Sequence, residues 1–111
     1  MPIAAQGLTT SQFLATKPNL FTSDFQFPVM VLRDSSLEHN IKRMAEYCKG
    51  HGYELKPHAK TPMSPQIAKR QIDAGAWGLT VANFNQARIM VEYGFKKLII
   101  GNEVMEPTSI A

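Results

Sequence analysis

Three basic side chains stand at alternate positions in the stretch KPHAK, namely Lys56, His58 and Lys60. If this stretch is a strand, all three project from one face, because side chains alternate between the two faces of an extended chain. Cations gathered in a partly desolvated site lower one another's pKa, and a lysine in that setting becomes a nucleophilic amine able to form a Schiff base. One interpretation of the pattern is therefore a site for an anionic carbonyl compound.

Pyridoxal phosphate is a cofactor of that kind, because its phosphate carries negative charge and its aldehyde condenses with an amine. The same residues also fit a solvated strand surface, since lysine side chains are seldom fully buried. Pro57 lies within the stretch, and its missing N–H disfavours a regular central strand. The residues alone leave both interpretations open.

Extended and helical segments alternate around this stretch. Apolar and β-branched runs predict strands, and apolar residues at helical spacing predict helices. The predicted strands are 28–34, 53–60, 77–82 and 96–101, and the predicted helices are 10–17, 35–48, 65–74, 85–93 and the turn that opens at 106.

Capping patterns mark the starts of the predicted helices, and glycines mark their ends. The starts are Ser35 with Glu38, Ser64 before Pro65, and Asn83 with Gln86; the ends are Gly50 or Gly52, Gly75 and Gly94. Strands separated by helices at intervals of roughly 20 residues are parallel and joined by right-handed crossovers.

Two architectures fit this order of elements: an open doubly wound sheet, and the early units of a (β/α)8 barrel. A closed barrel takes about 250 residues, whereas this chain has 111. If the fold is a barrel, the sequence predicts only its first βα units.

The segments KPHAKT and AGAWGLTVA carry a resemblance to a known family. From about residue 27 to residue 107 the chain resembles the N-terminal barrel of fold-type III pyridoxal-phosphate enzymes, the alanine racemase-like group. Within that group it is most similar to the branch of D-threonine aldolase, D-serine dehydratase and related amino acid deaminases. The resemblance implies a leader at residues 1–26 and a truncated N-terminal part of a (β/α)8 TIM barrel at 27–111.

The resemblance also implies roles for individual residues. In the family, the lysine of the PHxKT segment holds the cofactor as an internal aldimine, and Lys60 occupies that position. We expect His58 to contact the cofactor or to make a structural hydrogen bond. Thr61 is expected to cap the turn rather than to bind the cofactor, and Lys56 to be structural.

The activity implied by the resemblance is that of a lyase or deaminase acting on D-amino acids. A non-catalytic pyridoxal-phosphate-binding protein of the same fold, an amino acid racemase and a phosphate-binding α/β module remain as alternatives. Members of this branch use a divalent metal held mainly by a C-terminal β-domain, and they are commonly dimers. The same relatives imply that the strand predicted at 28–34 joins that β-domain, and that this chain is a fragment which is inactive by itself.

Composition excludes several other classes of protein. The net charge is +3 with scattered basic residues, which does not predict nucleic-acid binding. No apolar run approaches the ~20 residues of a membrane span, and the single cysteine, Cys48, is typical of a reducing compartment such as the cytoplasm.

Motifs for other cofactors are also missing from the sequence. The glycines of GHG and GAWG fit neither dinucleotide nor P-loop spacing. His39, His51 and Cys48 do not match a zinc signature. Asn102 follows the last predicted strand, and we expect it to cap the following helix or to contact the site.

Overall fold

The computed structural model describes residues 5–22 and 24–110. The chain divides into two compact units between Arg33 and Asp34, and the predicted boundary after residue 26 stays a prediction. In the first unit, helix α1 spans Thr10–Ala15, as the sequence predicted. A reciprocal capping box between Thr9 and Gln12 starts this helix.

The strand predicted at 28–34 is wrong. Residues 28–33 form neither helix nor strand, and Asp34 already belongs to the next helix. The segment exposes its apolar side chains, with Met30 94% accessible. A strand is stable only when its backbone groups are hydrogen-bonded to a neighbouring strand, and no described residue pairs with this segment.

The second unit alternates helices and extended segments, which confirms the predicted α/β class. Its elements are α2 (Asp34–His51), α3 (Pro65–Asp73), β1 (Leu79–Val81), α4 (Phe84–Glu92), β2 (Leu98–Ile100) and α5 (Pro107–Ile110). Strands β1 and β2 are parallel, with Leu79 opposite Leu98. His58 forms an isolated parallel bridge to Thr80.

The strand predicted at 53–60 is therefore present only as an extended segment with one bridge. Thr80 bonds this segment through its backbone N–H and carbonyl, while Leu79 and Val81 bond the β2 side. The segment and β2 thus flank β1 on opposite edges. The order across the second unit is segment, β1, β2, all running in parallel.

Local sequence explains where the helices begin and end. Ser64 accepts a hydrogen bond from the Ile67 N–H at 3.3 Å, and Asn83 accepts one from the Gln86 N–H at 3.0 Å, so both predicted caps are confirmed. The cap predicted at Ser35 is wrong, because α2 begins one residue earlier, at Asp34.

Helix α2 ends in a Schellman motif, as its glycines predicted. Gly52 has a φ of 70°, a left-handed conformation that glycine adopts without steric cost. The N–H of Tyr53 then donates to the carbonyl of Cys48 at 2.8 Å. This turn leads the chain from α2 into the extended segment.

An ion pair joins α2 to α3. The Arg70 guanidinium lies 2.7 Å from Asp34 Oδ1 and 3.2 Å from Glu38 Oε2. The hydrogen bond from Arg70, together with its positive charge, holds the pKa of Asp34 below its usual value. The contact joins the first turn of α2 to α3 at an exposed position.

The core of the second unit lies between β1 and the helices. Its buried members are Ala59, Ala68, Leu79, Val81 and Met90. Leu79 and Val81 project to the same side because they are two positions apart on one strand. Thr80 between them therefore projects to the opposite side, away from this core.

Candidate functional site

Backbone hydrogen bonds hold the extended segment 53–60 along the edge of β1. Trp77 N–H donates to the Leu55 carbonyl, Thr80 N–H donates to the Pro57 carbonyl, and Ala59 N–H donates to the Thr80 carbonyl, each at 2.8 Å. Pro57 has no N–H to donate, so it takes part only through its carbonyl. The segment is thereby positioned without a complete strand ladder.

The two faces of the arrangement formed by the extended segment, β1 and β2 differ in exposure. Ala59 is 2% accessible and belongs to the core. By alternation, His58 projects to the other face together with Thr80. Ile99, which is in register with Thr80, is 40% accessible. His58 and Ile99 are therefore exposed on this face, whereas Thr80, which is 8% accessible, is buried.

Lys56 is held by its neighbours. Its side chain is 27% accessible, and its Nζ lies 3.3 Å from Glu54 Oε2. The same Nζ lies 4.5 Å from the centroid of the Trp77 ring, within the range of a cation–π interaction. This agrees with the structural role expected for Lys56.

Lys60 has a different environment at the carboxyl end of the same segment. The Met63 N–H donates to the Ala59 carbonyl at 3.0 Å, which closes a turn with Lys60 as its first inner residue. Lys60 is exposed, and it forms no ion pair within residues 5–22 and 24–110. Lys56 is therefore held by Glu54 and Trp77, whereas Lys60 on the same segment forms no ion pair with a described residue.

The backbone of Gly101 lies beside His58 and Thr80. A Cβ at Gly101 would stand 2.9 Å from Thr80 Cγ2 and 3.8 Å from His58 Cε1. Gly101 immediately follows β2, and its N–H donates to the Val81 carbonyl at 2.8 Å. His58, Thr80 and Gly101, which come from three neighbouring parallel segments, therefore lie close together.

The sequence did not single out Thr80. Its hydroxyl donates to the Lys56 carbonyl at 2.9 Å, so it binds the segment that carries the predicted site. The available signal was a lone polar residue in the strand Leu79–Val81, whose two other members are buried and apolar. A buried hydroxyl requires a hydrogen-bond partner, and that partner reveals the contact.

Two further predictions can be compared with the structure. Asn102 does not cap α5, which begins at Pro107, so the expected cap is wrong, and the alternative contact with the site stays a prediction. Thr61 is exposed in the turn after Lys60. Its side chain makes no hydrogen bond to a described residue, and the start of α3 is capped by Ser64 instead.

The grooves of the second unit lie elsewhere. A groove of about 540 Å³ lies between α2 and residues that include Leu55 and Ala76, and a second of about 340 Å³ adjoins it. Lys60 and His58 line neither of them. Both side chains are exposed.

Among the described residues, no three or more histidine, cysteine or acidic side chains lie together in a group able to hold a metal ion. None of the described helices is both long enough and apolar enough to cross a membrane.

Comparison with known proteins gave several relatives, although no protein-family model matches the chain. A 3-hydroxy-D-aspartate aldolase of Paracoccus denitrificans (strain Pd 1222) is 32% identical over 94 residues, which cover 84% of this chain and 24% of the relative. A D-threonine aldolase of Arthrobacter sp. is 34% identical over 84 residues, covering 76% and 22%. A D-threo-3-hydroxyaspartate dehydratase of Delftia sp. (strain HT23) is 37% identical over 60 residues, covering 54% and 16%.

A solved structure has the same fold. The crystal structure of D-threonine aldolase from Filomicrobium marinum matches with a TM-score of 0.75 and 34% sequence identity, over 78% of this chain and 24% of that one. The chain spans about a quarter or less of the length of the relatives it matches.

These relatives fit the fold-type III pyridoxal-phosphate enzymes, the class that the sequence of this chain resembles. Within this class it is a homologue of D-threonine aldolase, 3-hydroxy-D-aspartate aldolase and D-threo-3-hydroxyaspartate dehydratase. Assignment to this branch from KPHAKT and AGAWGLTVA is confirmed.

Proposed function

We propose that this chain is part of a pyridoxal-phosphate-dependent enzyme that acts on D-amino acids, with Lys60 as the attachment site of the cofactor. The reaction is of the aldolase or dehydratase type, as the names of its relatives indicate. One observation carries the choice of residue. Lys60 is an exposed amine without an ion pair among the described residues, whereas Lys56 is committed to Glu54 and Trp77.

The residues present fit the chemistry of this cofactor. The Lys60 side chain is a primary amine, so it would hold the cofactor through the aldehyde group. Pyridoxal phosphate, when bound, supplies a ring that accepts electron density as a bond at the substrate Cα breaks. The Lys60 amine would also take or return a proton at the substrate Cα. His58 lies on the same segment and contributes a polar contact beside the cofactor.

The proposed fold of the whole enzyme is a (β/α)8 barrel of the alanine racemase type. The parallel order of segment, β1 and β2, with the core on the helix side, supports this proposal. In such barrels the active site lies at the carboxyl ends of the strands. Lys60 and Gly101 both follow directly after extended segments, at this same edge.

The phosphate-binding residues and the acid or base for the other face of Cα would come from parts of the enzyme outside this chain. A divalent metal would also bind outside the described residues, in the C-terminal β-domain that the family resemblance implies. We further propose a location in the cytoplasm, which the single Cys48 supports, and a homodimer, which the family resemblance implies.

Peptide mapping after borohydride reduction tests the attachment site. The full-length protein is incubated with pyridoxal phosphate, reduced and digested, and the modified peptide is sequenced. We expect a single label on Lys60, retained in Lys56→Gln and lost in Lys60→Ala. A label on Lys56, or no label at all, would refute the proposal.

Product analysis separates an enzyme from a non-catalytic binding protein. The full-length protein, loaded with pyridoxal phosphate and left unreduced, is offered D-threonine, D-serine and 3-hydroxy-D-aspartate in turn. An aldolase releases an aldehyde, and a dehydratase releases a keto acid and ammonia. Attachment at Lys60 without product from any of these substrates, with divalent metal added, would contradict the lyase assignment and leave a carrier of the cofactor.

A further inference from the structure

Thr80 makes three hydrogen bonds to the segment that carries Lys60. Its N–H donates to the Pro57 carbonyl and its carbonyl accepts from the Ala59 N–H, both at 2.8 Å. Its hydroxyl donates to the Lys56 carbonyl at 2.9 Å. One buried residue, 8% accessible, therefore binds three residues of the segment through both its backbone and its side chain.

The hydroxyl bond matters because the segment cannot form a complete ladder. Pro57 offers no N–H, and strand pairing along the segment is limited to the single bridge between His58 and Thr80. A side-chain bond to the Lys56 carbonyl adds a constraint just before the bridge. Leu79 and Val81, the other two residues of β1, have no polar side chain that could supply it.

The methyl group of Thr80 has a fixed place as well. A β-branched side chain has few χ1 rotamers, so a hydroxyl held on Lys56 also fixes the direction of Cγ2. That methyl group occupies space that a Cβ on Gly101 would need, since the two carbons would be 2.9 Å apart. Gly101 therefore permits the rotamer in which Thr80 binds the segment.

We propose that Thr80 is a positioning residue. Together with Gly101, it holds the Lys56–Lys60 segment so that the Lys60 amine lies at the carboxyl ends of the parallel strands. This inference rests on the proposed function, in which Lys60 attaches the cofactor. Thr80 itself touches neither cofactor nor substrate in this proposal. Its effect is on how often the amine occupies the reactive position.

The first test compares Thr80→Val, which removes the hydroxyl, with Thr80→Ser, which keeps it. The readout is the rate at which added pyridoxal phosphate becomes attached to Lys60 in the full-length apoprotein, measured by borohydride trapping. Loss of one hydrogen bond predicts a rate roughly tenfold lower for Thr80→Val. Thr80→Ser should stay within about threefold of the parent rate.

A second test uses the contact with Gly101. Gly101→Ala should slow attachment as Thr80→Val does, because the new methyl group displaces Cγ2 and with it the hydroxyl. Serine has no Cγ2, so the double variant Thr80→Ser/Gly101→Ala should recover the rate of Thr80→Ser. A double variant as slow as Gly101→Ala alone would overturn the proposal. This comparison also remains informative if Thr80→Val does not fold.

A control separates positioning from general stability. Asn83→Ala removes the cap of α4, so it should lower stability without slowing attachment at Lys60. Equal rates for Asn83→Ala, Thr80→Val and the parent protein would overturn the positioning role alone. Absence of any label on Lys60 in the parent protein would overturn the proposed function and this inference together.

Discussion

Gly78 lies directly against the backbone of Lys97, with no space for a side chain between them. A Cβ at Gly78 would stand 2.5 Å from the Lys97 carbonyl oxygen. The same oxygen accepts a hydrogen bond from the Leu79 N–H at 3.0 Å. The close approach therefore lies where β1 and β2 begin to pair, and glycine is the residue that permits it.

Replacing Gly78 should weaken the pairing of β1 with β2. We expect Gly78→Ala to lower the free energy of unfolding by about 1–3 kcal/mol, because the added methyl group forces the two backbones apart. Urea unfolding would measure the change. Gly50→Ala is the matched control: nothing lies within 4 Å of the added carbon, and it should raise stability by about 0.5–1 kcal/mol. Equal effects of the two variants would contradict the steric explanation.

Replacing Met90 tests the core of the second unit. It is fully buried on α4 and packs with Leu79 and Val81. Truncation in Met90→Ala should cost about 2–5 kcal/mol, since it removes buried contacts and leaves a cavity. Val91→Ala, at the next and exposed position of the same helix, should change stability by less than about 0.5 kcal/mol. Thermal unfolding of both variants would reveal whether Met90 is a core residue.

Removing the cap of α3 should lower the free energy of unfolding by less than truncation of Met90 does. Ser64→Ala removes the oxygen that accepts from the Ile67 N–H, and it should lower the free energy of unfolding by about 1 kcal/mol. Ser35→Ala provides the comparison, because Ser35 lies inside α2 rather than at its cap. Chemical unfolding should find the Ser35 variant nearly unchanged. A larger loss at Ser35 than at Ser64 would restore the cap that the sequence predicted.

The ion pair between Asp34 and Arg70 predicts a dependence of stability on pH. Arg70 lowers the pKa of Asp34 in the folded protein from its ordinary 3.8, so the unfolded chain binds the proton more tightly. The pair therefore stabilises the fold above about pH 4 and loses this effect as the pH falls through the lower, folded pKa. Asp34→Asn should remove that part of the acid-induced loss of stability.

Unfolding curves of the parent protein and Asp34→Asn at pH 6 and pH 3 would measure this effect. We expect the two proteins to differ more at pH 6 than at pH 3. Lys69→Gln is the control, because Lys69 pairs with Asp73 within α3 alone. A constant difference between the parent and Asp34→Asn at both pH values would contradict the linkage.

Much of the local structure could be predicted from the sequence. Ser64, Asn83 and Gly52 act on backbone groups a few residues away, so their positions alone indicated where helices start or stop. The strand predicted at 28–34 failed for the opposite reason. Its hydrogen-bonding partners would be distant in sequence, and no described residue supplies them.

The motif KPHAKT by itself left a cofactor site and a solvated surface both open, and its resemblance to a family indicated the chemistry and which lysine would carry it. The relation of Thr80 to Lys56, and of Gly101 to Thr80, depended on three segments lying side by side. Spacing along a chain determines which residues share a face. Only the packing of distant segments determines which lysine is held by neighbours and which is left exposed, because those neighbours are brought together by the fold.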